Sequence, residues 1–193
     1  EQQLNTIDFY ALDGRKSFTD NYQIDFSVDP VERFNITATF RYTNAKIQFK
    51  GSEAPVEKPM TSRFKGVLNL QYATHLNKWI FDFTASLNGS CRVYDFMADD
   101  KDADGNLLYK NGRTPMYPLL YAQVTRRFKG WDVYIGAENL TNFRQKNVIQ
   151  GAVRDENGYV NAYQPSFDAS CVWGPLMGIK AHVGFRFTLW KKA

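Results

Sequence analysis

In residues 177–190, MGIKAHVGFRFTLW, nearly every second side chain is apolar: Met177, Ile179, Ala181, Val183, Phe185, Phe187 and Leu189 alternate with Gly178, Lys180, His182, Gly184, Arg186 and Thr188. Successive side chains of a strand point to opposite faces, so the pattern asks for an apolar environment on one side and a polar one on the other. Two architectures supply that pair. A sandwich sets protein core against the apolar face and water against the other; a barrel in lipid sets acyl chains outside and a polar lumen inside.

The same period recurs in six further segments. Residues 5–28 put Tyr22, Ile24, Phe26 and Val28 opposite Asn21, Gln23, Asp25 and Ser27, and 33–49 put Phe34, Ile36, Ala38, Phe40 and Tyr42 opposite Arg33, Asn35, Thr37, Thr39 and Arg41. In 63–76, Phe64, Leu68, Leu70, Tyr72 and Leu76 oppose Lys65, Asn69, Gln71 and His75; in 79–93, Trp79, Phe81, Phe83, Ala85 and Leu87 oppose Asp82, Thr84, Ser86, Asn88 and Arg92. In 117–128, Leu120, Ala122, Val124 and Phe128 oppose Tyr121, Gln123, Thr125 and Arg127; in 131–141, Trp131, Val133, Ile135 and Ala137 oppose Asp132, Tyr134, Gly136 and Glu138.

The connections alternate in kind. DPVE, NK and KG join segments one to two, three to four and five to six, and are tight turns by composition. The connections near 50–62, 96–116 and 142–176 are long, polar and rich in Gly, Asp and Asn. An up-and-down sheet therefore carries its short turns at one end and its long loops at the other, the periplasmic and extracellular asymmetry of a bacterial outer-membrane barrel. Phe34, Trp79, Phe128, Trp131 and Trp190 fall beside the short turns or the end of the last segment, at the height an interfacial aromatic girdle requires. Arg41, Asp82, Arg127, Glu138, Lys180 and Arg186 lie on the polar parity, where a wet or plugged lumen hosts them more easily than a narrow closed interior.

Bulk properties agree. No apolar run approaches the roughly 20 residues of a spanning helix, while a barrel strand keeps every second residue polar, as a mean hydropathy of -0.46 allows. Aromatic residues make up 16% of the chain, a content suited to pleated surfaces. The net charge of +4 is scattered singly, so nucleic acid is not an expected partner. Seven antiparallel segments leave the first and last running the same way, so they cannot close antiparallel on each other, and further strands are expected to complete the sheet. The expected fold is thus all-β, made of antiparallel up-and-down transmembrane β-barrel strands. Two alternatives stand beside it: a small self-contained outer-membrane barrel of structural or adhesive role, with residues 1–12 as an eighth strand, and a soluble β-sandwich binding module.

Four segments, EKPMTSRFKGVLNLQY (57–72), WDVYIGAENLTNFRQ (131–145), FDASCVWGP (167–175) and the closing MGIKAHVGFRFTL, resemble the C-terminal barrel strands of TonB-dependent outer-membrane receptors, especially those of the Bacteroides group. The resemblance covers nearly all of residues 1–193 but only about the last third of such a barrel. It implies a barrel of about 22 strands closed by a plug. Its location would be the bacterial outer membrane, its role uptake of a scarce nutrient (iron chelate, haem, cobalamin, metal or oligosaccharide) with TonB-derived energy. It further implies as partners the membrane lipid, the remaining strands and plug, the TonB complex acting through that plug, and the barrel assembly machinery. His182, Gly184, Phe187 and Leu189 resemble the terminal signal read by that machinery; Trp190-Lys191-Lys192-Ala193 departs from it, since family members stop at or near the last strand residue.

Chemical motifs are few. DDKDADGN places Asp100, Asp102, Asp104 and Asn106 in the alternation that opens a calcium loop, but Asn111 stands where a bidentate Glu belongs; a solvated acidic loop with a DG turn fits as well. The two histidines, His75 and His182, have no nucleophile in a recognisable context beside them, so no enzyme and no cofactor is expected. Cys91 and Cys171 are too few for a disulfide framework. The long loop of 142–176 carries Arg154, Tyr159, Tyr163 and Trp173, cation and aromatic groups able to grip a polar, partly flat solute, and is the expected place of ligand contact.

Overall fold

The computed structural model describes residues 16–49, 53–101, 105–145 and 171–189. Eight strands form one sheet: β1 (Phe18–Val31), β2 (Phe34–Ile47), β3 (Val56–Glu57), β4 (Phe64–Ala73), β5 (Trp79–Asn88), β6 (Tyr117–Arg127), β7 (Trp131–Glu138) and β8 (Lys180–Phe187). The seven longer strands pair with their sequence neighbours in an antiparallel meander, and β3 adds a short extension to the end of β2. The sheet is open. β1 and β8 are its edges and run in the same direction.

Register makes each face continuous. Along one line across the sheet, Phe26 faces Ala38, Ala38 faces Leu68, Leu68 faces Ala85, and Ala85 faces Leu120. Farther across, Val124 faces Ile135, and Ile135 faces Val183. A slip of one residue at any pairing would put these groups among polar ones, so the alternation in sequence is what selects the register. The apolar face is uncovered: Ile24 is 72% exposed, Ile135 62% and Val183 76%.

Two rows of rings bound that face. At the short-turn end, Trp79 and Phe81 stack at 6.4 Å, Tyr72 and Phe81 at 6.4 Å, and Phe128 and Trp131 at 4.1 Å, with Phe185 5.7 Å from Trp131. Toward the long-loop end, Tyr22 lies 6.5 Å from Tyr42, and Phe40 lies 6.4 Å from Phe64. Phe34 and Tyr42, eight residues apart on β2, are separated by roughly 26 Å along the strand. From Tyr42 to Phe34 on β2, Phe64 to Tyr72 on β4, and Leu87 to Trp79 on β5, every side chain on this face is apolar apart from the tyrosine hydroxyls. The other face is a hydrogen-bonded carpet: Thr39 donates to Asp25 (2.7 Å), Asn69 to Thr84 (2.8 Å) and Gln71 to Asp82 (2.9 Å).

Several boundaries differ from the sequence reading. The DPVE segment does not make the first turn: β1 continues to Val31 through a bulge between Val28 and Val31, and Glu32-Arg33 turn the chain, with Arg33 at φ 66°. The bulge absorbs Pro30, which has no N–H to give a regular ladder. The second turn spans Thr74–Lys78 around a single 3-10 turn, His75–Asn77. Leu76 sits there at φ 58° and 69% exposed, outside the strand the alternation assigned it to. The fourth segment ends at Asn88, and Arg92 has left the sheet. Residues 5–15 of the first segment, and residues 1–12 as a candidate eighth strand, lie outside the described residues.

The buried hydrophobic cluster is not on the sheet. Val93, Met97, Tyr109 and Cys171 form it, packed by Met60, Tyr94, Ala98, Leu108 and Trp173. All belong to the long connections, which fold together over the polar face at the end away from the short turns. Thr43, Ala45, Ser86 and Tyr117, each on the polar parity near that end, are the strand positions this knot helps to bury.

Candidate functional site

The knot has a charged half and an aromatic half. Backbone pairing builds the charged half: Val93 N donates to Gly112 O (2.9 Å), Thr114 N to Cys91 O (2.9 Å) and Met60 N to Arg92 O (2.8 Å). These bonds set Arg92 and Arg113 opposite each other and turn both toward Glu57 on β3. Arg113 grips the Glu57 carboxylate with a two-pronged fork, Nη1 to Oε2 at 2.8 Å and Nη2 to Oε1 at 3.0 Å, and Arg63 Nη2 donates to Oε2 at 2.7 Å. Arg92 donates to the Glu57 carbonyl (3.2 Å) and pairs with Asp95.

Burial pushes the Glu57 carboxyl up, but the hydrogen bonds and charges of Arg113 and Arg63 together outweigh it and hold the group below the usual range. The bond from Glu57 raises Arg113 further above its already high value. Three guanidiniums against two carboxylates leave this half one positive charge in excess. Burial likewise pushes the Cys91 thiol up, and Thr114 bonds its backbone N–H. Cys91 and Cys171 form no disulfide and are both buried.

The aromatic half gathers Tyr109, Tyr117, Phe143 and Trp173. Tyr117 stacks on Phe143 at 4.4 Å, and Trp173 lies 5.7 Å from Tyr117, 6.0 Å from Phe143 and 6.4 Å, edge-on, from Tyr109. Gln145, 5% exposed, straps the returning chain: its Oε1 accepts from Trp173 N (2.9 Å) and Gly174 N (3.1 Å), and its Nε2 donates to Cys171 O (3.1 Å). Tyr117 OH donates to Trp173 O (2.9 Å). Beside these rings runs a groove of about 260 Å³ lined by Leu107, Leu108, Tyr109, Pro115, Phe143, Arg144 and Trp173.

The ENLTN segment explains itself at atomic level. Asn139, 6% exposed and at φ 53°, donates from Nδ2 to Phe143 O (2.8 Å) and Met177 O (3.0 Å), while its Oδ1 accepts from Phe143 N (3.1 Å) and Thr141 Oγ1 (3.0 Å). Thr141 also donates to Pro118 O (2.9 Å), and Asn142 Oδ1 accepts from Ile179 N (3.3 Å). Asparagine tolerates the left-handed backbone and supplies both donor and acceptor, so one short segment ties the loop-side ends of β6, β7 and β8.

Of the residues expected to meet ligand, Trp173 stands in the groove wall; Arg154, Tyr159 and Tyr163 lie outside the described residues. Of the acidic loop, Asp100 and Asn106 are described and Asp102 and Asp104 are not. Lys101 bridges Leu107 across a turn at Gly105 (φ 82°), and Leu108 N donates to Asp100 O (2.8 Å). Among the described residues no three His, Cys, Asp or Glu side chains cluster as metal ligands. His182 approaches Gln123 on the polar face (3.4 Å). The sequence assigns no site role to Arg113, Tyr109 and Tyr117, nor to Glu57, Phe143 and Gln145, although the last three lie within the segments that carry the resemblance. Their contacts span 56 residues for Glu57 and Arg113 and 26 for Gln145 and Cys171, and no local motif announces them.

No protein-family model matches the chain, and no curated protein matches it at a significant level.

Proposed function

We propose that this chain is the C-terminal barrel portion of a TonB-dependent outer-membrane receptor, with the knot of long connections facing outward and contributing to capture of a scarce nutrient. The observation that carries the reading is the uncovered apolar face bounded by two rows of rings, with every short turn at one end and the packed loops at the other. A face of this kind in water is an aggregation surface. In lipid, the band between the rows, roughly 26 Å along the strand, rises about 20 Å at the strand tilt of about 40° and so fills most of the apolar band of about 25 Å on an outer-membrane barrel. The open edges of β1 and β8 are the places where further strands join, the polar carpet faces a lumen that a plug occupies, and the TonB complex acts through that plug. His182, Gly184, Phe187 and Leu189 on and beside β8 serve assembly.

The test is spin labelling of the complete protein in phospholipid vesicles. Labels at Ile135, Val183 and Leu87 are expected to be relaxed by oxygen dissolved in the acyl chains, and labels at Gln123 and Thr84 to be shielded from it. Equal or inverted accessibility would overturn the reading.

A further inference from the structure

A cation interrupts the apolar face at its short-turn end. Arg126 lies on the same parity as Val124 and Leu120, paired in register with Trp79 on one side and Val133 on the other. Its guanidinium carbon sits 4.7 Å from the Trp79 ring centroid and 5.3 Å from that of Phe128, so two rings hold it at the outer surface within the aromatic row of the short-turn end. Lys78 and Lys129, both exposed, flank it from adjoining turns; Arg127 N donates to Lys78 O (2.9 Å), which holds the 74–78 turn against the end of β6. The carboxylates of this end are engaged elsewhere: Glu32 pairs with Arg33, Asp132 with Arg127 on the opposite face, and Asp29 accepts from Asn35. Among the described residues, none lies within ion-pair distance of Arg126, Lys78 or Lys129.

From this we infer that Arg126, supported by Lys78 and Lys129, forms a binding site for the phosphate of an anionic phospholipid headgroup in the leaflet that the short turns reach. The inference rests on the membrane reading above. A planar guanidinium pinned over Trp79 and Phe128 keeps its N–H edge free for a phosphate oxygen, and the rings place that edge where headgroups meet acyl chains. The lysines add charge without a fixed geometry. A headgroup is the occupant that complements both parts at once, because its phosphate meets the cations while its acyl chains cover the flanking apolar strip of Val124, Val133 and Phe81.

The complete protein, reconstituted in phosphatidylcholine alone or mixed with phosphatidylglycerol, tests this by flotation and by native mass spectrometry of the retained lipid. The parent protein is expected to float with vesicles and to retain phosphatidylglycerol over phosphatidylcholine. Arg126→Gln should float equally well and lose about fivefold of that preference, the effect of one basic side chain at a lipid surface. Arg126→Lys should keep most of it, and excess inorganic phosphate should not compete. Preference unchanged in Arg126→Gln, or abolished by inorganic phosphate, would overturn the headgroup site and leave the membrane reading standing. Failure of the parent protein to float would overturn both. If Arg126→Gln fails to fold, Lys78→Gln with Lys129→Gln carries the same comparison, and an unchanged preference there would also sink the site.

Discussion

The ring of Tyr134 on β7 lies directly over the backbone of Gly184 on β8, its register partner, and occupies the space where a Cβ at 184 would stand. One rung away the arrangement is reversed: His182 on β8 covers Gly136 on β7. The two covering rings meet edge-on at 6.2 Å. Each glycine leaves backbone bare and each ring covers it, a known means of pinning register in sheets. Gly184 therefore has a packing reason to be glycine, independent of any signal it carries for assembly.

The two roles separate by a double substitution. Gly184→Ala forces its new methyl into the Tyr134 ring and is expected to cost about 1 to 3 kcal/mol by overpacking, seen as a lower yield of folded protein. Tyr134→Ser clears that space, so Gly184→Ala combined with Tyr134→Ser should recover most of the loss. Phe187→Asp, which alters the apolar parity of the resembled signal without touching Tyr134, should not be rescued by it. The folded yield of the four variants in the complete protein is the measurement, and a double variant as poor as Gly184→Ala would assign glycine a signalling role alone.

Placing a charge on the apolar face should be costly and depth-dependent. Ile135, between Val124 and Val183 in register, is near the middle of the band, and Ile135→Arg is expected to destabilise by about 2 to 4 kcal/mol in lipid. Gln123→Arg, on the opposite face, should be nearly neutral. Urea unfolding from vesicles measures both. Ser86 is not a suitable mild control although its parity is polar: it is 7% exposed beneath the knot, and a bulky group there would disturb loop packing.

The contrast between Ser86 and Gln123 marks how far the sequence could be read. Alternation placed β2 and β4 to β8 within about five residues of their observed ends, because period two is a local property of the chain, whereas the first segment, read from residue 5, begins as a strand only at Phe18. It sorted the two faces for the same reason. It missed the bulge at Pro30 and the turn at Leu76, where backbone geometry overrides patterning. Of the residues around the groove it singled out Trp173 through composition, and it found nothing of the Glu57–Arg113 fork or the Gln145 strap. Such contacts join residues tens of positions apart, and in sequence a strapping glutamine looks like any polar loop residue.

The fork makes the knot sensitive to acid. Because the Glu57 carboxyl is held below its ordinary 4.5 in the folded protein, its stabilisation is fully present above that value and is lost as pH falls through the lower folded one. Glu57→Gln is expected to cost about 1.5 to 3 kcal/mol at neutral pH, the range for hydrogen bonds to a charged group. The gap between variant and parent should narrow as pH drops from about 5 toward 3. Thermal unfolding across that range is the check; a gap that stays constant or widens in acid would show that the fork does not stabilise the knot.

The groove beside Trp173 offers the most direct test of ligand contact. Its walls combine aromatic rings with Arg144, which is exposed, so a flat anionic solute meets a stacking surface and a cation together. Trp173 also fastens the loop through its backbone bonds to Gln145 and Tyr117, and those survive substitution of its side chain. Trp173→Phe should therefore keep the knot folded while losing the ring area and the Nε1 bond to Tyr109 (3.4 Å). With 2,3-dihydroxybenzoate as a flat anionic probe and glucose as a neutral one, saturable binding is expected for the first only. Arg144→Gln should weaken it about fivefold or more, a loss of roughly 1 kcal/mol, at unchanged thermal stability. Shortening residues 152–165 in the complete protein asks whether that stretch adds to the same contact, and affinity should fall at normal folded yield if it does. Binding of the probe untouched by Arg144→Gln and by Trp173→Phe would remove the groove from the ligand's path and leave Trp173 a fastener of the loop.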